Sequence, residues 1–152
     1  MLNGLPVVKK VPPVEGESEI DISLHNNAVT AFVEAKLNSD ISPRTIYDPN
    51  RNQIIRNIDC LLDDTNNTVP IFWMLVRDLG SEKAYVQLAR QYRTNPTKLI
   101  DHLPHREPSR VRQVADCISL VRWKDFIQIV PQHSLEDDLV LSVFRELCER
   151  VQ

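Results

Sequence analysis

Apolar residues recur along most of this chain every three or four positions, the period of helices packed by one face. In 26–38 the stripe is Val29, Phe32, Val33 and Leu37. Asp48-Pro49 is a cap followed by a first-turn proline, and Ile54, Ile55, Ile58, Leu61 and Leu62 then mark a second helix over 49–63. Residues 69–79 are apolar almost all round (Ile71, Phe72, Trp73, Met74, Leu75, Val76, Leu79), which predicts a central helix capped by Thr68 and ended at Gly80. A fourth helix runs from Ser81 to about Tyr92, and Asn95-Pro96 opens a fifth that Pro104 closes. The sixth begins at Pro108 and carries Val111, Val114, Ala115, Ile118 and Val121. A short seventh covers 122–130, and Ser134 with Asp137 makes a capping-box start for the eighth. The expected fold is all-α, a helical bundle of about eight helices.

Three segments follow from this pattern. Residues 1–22, with Pro6, Pro12, Pro13 and an acidic cluster, read as a flexible N-terminal tail. Residues 23–66 read as an N-terminal helical extension, and 67–152 as a six-helix domain.

Composition fits one soluble globular domain: 152 residues, 42% hydrophobic and 26% charged. The 3 glycines argue against tight hairpins and glycine-rich phosphate loops. Cys60, Cys117 and Cys148 are odd in number, well separated and on apolar faces, as expected of buried free thiols in a reducing compartment. Residues 1–22 lack the apolar core of a signal peptide. No apolar run approaches the roughly 20 residues of a membrane span. The expected location is therefore cytoplasmic, or nuclear.

Charge sharpens the picture. Residues 1–82 carry a net −5, residues 83–124 carry nine Lys/Arg against three Asp/Glu for +6, and residues 125–152 carry a net −4. The overall −3 hides a dipolar molecule suited to docking on charged partners, including copies of a similar domain. Arg90, Arg93, Lys98, Arg110 and Arg112 would form a basic face, and Glu136, Asp137 and Asp138 an acidic one.

Candidate chemistry is sparse. Gln87–Arg93, Thr94-Asn95-Pro96 and Thr97–Leu103 have the spacing of a helix-turn-helix, with Thr97, Lys98 and His102 toward a groove. Asp101 on the reading helix and the acidic total weigh against DNA binding. His102 and His105 are separated by the helix-breaking Pro104 and lack a third metal ligand. The Asp63-Asp64 pair reads as a solvated helix end. No nucleophile elbow, P-loop or dinucleotide fingerprint occurs, so no metal, cofactor or catalytic residue is expected.

The runs Ile71–Gly80, Val86-Gln-Leu-Ala-Arg-Gln-Tyr92, Asn95–Leu103 and Arg110-Val-Arg112 together resemble the death-domain superfamily. That resemblance implies a six-helix bundle without catalytic activity, which binds related helical domains through charged patches in apoptotic or innate-immune signalling. The sequence thus predicts a non-enzymatic adaptor that docks on other proteins, with self-association allowed and no membrane contact. A helix-turn-helix transcriptional regulator that binds nucleic acid is the alternative.

Overall fold

The computed structural model describes residues 20–36, 40–41, 50–64, 68–80 and 82–125. Their order is β1 (Ile22–His25), β2 (Val29–Lys36), α1 (Gln53–Asp64), β3 (Val69–Val76), α2 (Ala84–Thr94), α3 (Pro96–His102), α4 (Pro108–Asp116) and β4 (Ile118–Arg122). The strands form one four-stranded sheet in the order β1-β2-β3-β4. The hairpin β1–β2 is antiparallel, while β2–β3 and β3–β4 are parallel. The all-α bundle is therefore wrong, and so is the six-helix arrangement over 67–152. The fold is α/β with a mixed sheet.

The correction has a physical source. Two expected helices, 26–38 and 69–79, are the central strands β2 and β3. A strand covered on both faces is apolar at every position and loses the alternation that would announce it. Val29, Thr30 and Val33 in β2, and Val69, Ile71, Phe72, Trp73 and Val76 in β3, are the β-branched and aromatic types that favour a pleated surface. The sixth expected helix ends at Asp116, and Ile118–Arg122 turns into β4. The second, fourth and fifth expected helices are found as α1, which begins at Gln53, α2 and α3. The expected eighth helix and most of the seventh and the tail lie outside the described residues.

Strand periodicity now sorts the side chains. Phe32, Phe72, Met74, Val76 and Ile118 point to one sheet face and pack with Ile54, Ile58, Leu61, Tyr85, Leu99 and Val111 from the four helices. Val33 and Leu75 point to the other face, with Trp73, Val121 and Trp123 beside them. Cys60 and Cys117 form no disulfide among the described residues and are half-buried. No helix among the described residues is long and apolar enough to cross a membrane.

The start of α2 is held from a distance. Lys83 supplies no side-chain cap. Asp40, just beyond β2, instead accepts from the backbone N–H groups of Ala84 at 3.0 Å and Tyr85 at 3.2 Å. Partial burial raises the Asp40 pKa, but these bonds outweigh it and hold the carboxyl below its ordinary value. Asp40→Ala is expected to cost about 1 kcal/mol, read as a lower midpoint in urea unfolding.

Candidate functional site

The carboxyl end of β2 carries Glu34 and Lys36, two residues apart and hence on one face of the strand. They lie on the face that packs against the helices, where charge is least expected. Glu34 is 2% exposed and Lys36 9%. Asp21, just before β1, lies near enough to Glu34 for its charge to act on that carboxyl. Asp21 is anchored by accepting from the Ala35 backbone N–H at 2.7 Å.

Helix α1 completes the cluster. Its first residue, Gln53, and Asn57 one turn later share a face. Gln53 Nε2 donates to Glu34 Oε1 at 2.7 Å, and Asn57 Nδ2 donates to Glu34 Oε2 at 2.8 Å. Lys36 Nζ lies 2.8 Å from Glu34 Oε1 and donates to Gln53 Oε1 at 3.1 Å. One carboxylate thus takes three donors in a nearly buried site at the end of the strand.

Electrostatics mark Glu34 as poised. Burial raises its pKa, and the hydrogen bond and charge of Lys36 offset only part of that rise. The Asp21 charge pushes it further up. A buried ion pair is a poor stabiliser, because desolvation consumes most of the Coulomb attraction. Replacing Glu34, Lys36, Gln53 and Asn57 together by apolar residues of similar size is expected to raise stability by about 1 kcal/mol or more, measured by denaturant unfolding. Buried, perturbed charge of this kind is found both at functional sites and in structural ion-pair networks.

A second polar cluster lies on the other side of α1. Asp59 accepts from Arg51, from Arg106 Nε at 2.6 Å and from His105 Nε2 at 2.8 Å. Arg106 also reaches Asp63 at 2.5 Å and the Asp59 carbonyl at 3.0 Å. This network clamps α1 to the turn between α3 and α4. His105 is therefore engaged with Asp59, and His102 packs edge-on against Tyr92. Asp63 pairs with Arg106 and Asp64 lies 3.5 Å from His25, both carboxylates remaining exposed.

The basic residues singled out by sequence part company. Arg90 and Arg93 converge on one cavity of about 190 Å³ with Leu79, Ala89, Ile118 and Leu120. Arg110 is half-buried and bonded to Gln113 Oε1 and to the Thr68 carbonyl at 3.3 Å, a packing role. Lys98 and Arg112 are exposed on α3 and α4. Glu136, Asp137 and Asp138 lie outside the described residues. The helix pair of the expected helix-turn-helix does exist as α2 and α3, separated by Asn95 alone.

Sequence reasoning missed Asp21, Glu34, Lys36, Gln53 and Asn57. Read as a helix, 26–38 sets Glu34 and Lys36 roughly 200° apart on the helical wheel. Read as a strand, it sets them side by side. Among the described residues, no three of His, Cys, Asp and Glu converge as a ready-made metal cage. Mg²⁺ needs none, since it commonly takes one or two carboxylates and fills its shell with water and substrate phosphate. No protein-family model matches the chain, and no curated protein or solved structure is significantly similar to it.

Proposed function

We propose that the chain is a divalent-metal-dependent hydrolase of phosphodiester bonds in nucleic acid. The observation that carries this reading is the buried Glu34–Lys36 pair near Asp21 and held by Gln53 and Asn57. Two hard carboxylates, one on β2 and one just before β1, would suit Mg²⁺ or Mn²⁺ as ligands. When bound, such an ion supplies Lewis-acid stabilisation of the phosphoryl oxygens and activates water.

The protein's own groups divide the remaining work. Lys36 brings a fixed positive charge to a nearly buried site, where it stabilises charge developing on the phosphate. Gln53 is a positioning residue, since it holds both Lys36 and Glu34. No Ser, Thr or Cys joins the described cluster, so water is the nucleophile. The net +6 of residues 83–124 attracts a polyanion to a chain that is acidic overall. Docking on proteins through charged patches, by contrast, rests on charge segregation alone.

The test is cleavage of end-labelled DNA and RNA in Mg²⁺, Mn²⁺ and Ca²⁺ against EDTA. Cleavage in Mg²⁺ or Mn²⁺ and none in EDTA is expected. Unchanged substrate in every metal removes the reading. Gln53→Ala is expected to keep the fold and to lower turnover about 10- to 100-fold, as loss of an outer support does at a metal site. The raised Glu34 pKa gives the pH dependence its sign. The proton leaves at a higher pH than from an ordinary glutamate, so cleavage falls as pH is lowered through a range above the usual carboxylate one.

A further inference from the structure

Arg90 and Arg93 stand one turn apart on α2, both exposed, over a floor of Leu79, Ala89, Ile118 and Leu120. Arg90 donates to the Leu79 carbonyl, which fixes that guanidinium at the rim. Arg93 has no charge partner among the described residues. An apolar floor beneath two cations fits a ligand with a planar apolar body and an anionic group. Guanidinium planes stack on aromatic rings and bond phosphate in pairs. The cavity of about 190 Å³ is of the right order for one ring system, given that an apolar hole of roughly 150 Å³ holds benzene.

Its place in the fold points the same way. Leu120 pairs with Met74, and Met74 pairs with Glu34, so the three share one row across the sheet. Two strand spacings put Leu120 about 10 Å from Glu34. Lys36 and Val76 end β2 and β3 in register, and Leu79 lies just past that end. Pocket and carboxylates therefore lie toward the same carboxyl edge of the parallel strands, two strands apart, on the usual side for ligands in such sheets. Ten ångströms spans roughly three nucleotides at the ~3.4 Å per charge of one stacked strand.

We propose that the Arg90–Arg93 pocket is a nucleotide subsite, taking one base on its floor and the adjoining phosphate on its arginines, from the strand cut at Glu34 and Lys36. The proposal rests on the hydrolase reading, and the experiment separates the two. A fluorescein-labelled single-stranded DNA octamer is titrated with the full chain in EDTA and followed by anisotropy, using wild type, Arg93→Glu, Leu79→Trp, Glu34→Gln and the charge control Lys98→Glu. Arg93 is exposed and Leu79 half-buried, so both substitutions leave the core intact. Arg93→Glu and Leu79→Trp are expected to weaken binding about ten-fold or more, the size of a lost base contact, while Lys98→Glu changes it by less than about two-fold. Glu34→Gln, which removes the carboxylate nearest the phosphate to be cut, is expected to bind at least as tightly as wild type. Equal affinity across the series, or equal losses for Arg93→Glu and Lys98→Glu, overturns the pocket. The expected binding pattern in a chain that cuts nothing in Mg²⁺ supports the pocket and overturns the hydrolase.

Discussion

Glu34→Gln is expected to abolish metal-dependent cleavage, with a loss of at least about 10³-fold in turnover, while the chain stays folded. The amide keeps the size and most of the hydrogen bonds of glutamate but cannot supply the charge that Mg²⁺ needs. It also leaves Lys36 without its ion-pair partner. A 10³-fold loss corresponds to roughly 4 kcal/mol in the barrier. Asp21→Asn should fall in the same range, because it removes the other ligand and leaves an acceptor for the Ala35 amide. The measurement is single-turnover cleavage in Mg²⁺, with circular dichroism to show the fold unchanged. A Glu34→Gln chain that cuts at the wild-type rate contradicts the assignment.

The second large effect belongs to Asp59, on stability rather than chemistry. Asp59→Ala is expected to destabilise the chain by about 3–5 kcal/mol, because it strands Arg51 and Arg106 in a partly buried network. Denaturant unfolding reads this directly. Burial raises the Asp59 pKa, but the hydrogen bonds from Arg51, Arg106 and His105 win, so the carboxyl sits below its ordinary value. Its contribution is therefore complete above the unfolded value of about 3.9 and is lost as pH falls through the depressed folded one. The wild type should lose stability on acidification through that window more steeply than Asp59→Asn, which has no proton to take up there. A flat difference between the two across pH 2–5 on the order of experimental error would contradict the clamp.

The two effects are linked through α1. Gln53 and Asn57 face the sheet, while Asp59 and Asp63 face the α3–α4 turn. The clamp holds the helix against the fold, and the helix holds Glu34.

How far the sequence could have led depended on period more than on composition. The amphipathic run Ile54, Ile55, Ile58, Leu61, Leu62 admits one reading, because a strand would scatter those residues over both faces. The run Val69–Val76 admits two, since an apolar stretch of eight residues is equally a buried helix or a buried parallel strand. Its β-branched and aromatic content was the available arbiter. Misreading Val29–Lys36 had the greater consequence, because the site depends on the two-residue period. Glu34 and Lys36 were legible as a charged pair inside an apolar strand only once that strand was recognised. Asp21 looked like the end of an acidic tail, and only the β1–β2 hairpin brings its charge near Glu34. Gln53 and Asn57 could not be read at all, since nothing local says which sheet face α1 covers. Arg90 and Arg93 were visible as a helical i, i+3 pair because α2 is truly helical. The basic block was legible as charge, but not the division of its members among a cavity, a packed helix and open surface.

The most direct test of the central claim is Mn²⁺ binding, followed by the electron paramagnetic resonance signal of the free ion. Wild type is expected to remove Mn²⁺ from solution saturably, with Mg²⁺ competing. Asp21→Asn and Glu34→Gln are expected to leave the free-ion signal close to that of buffer. Equal binding by all three chains, or none by wild type, would contradict a metal site at the carboxyl end of β2.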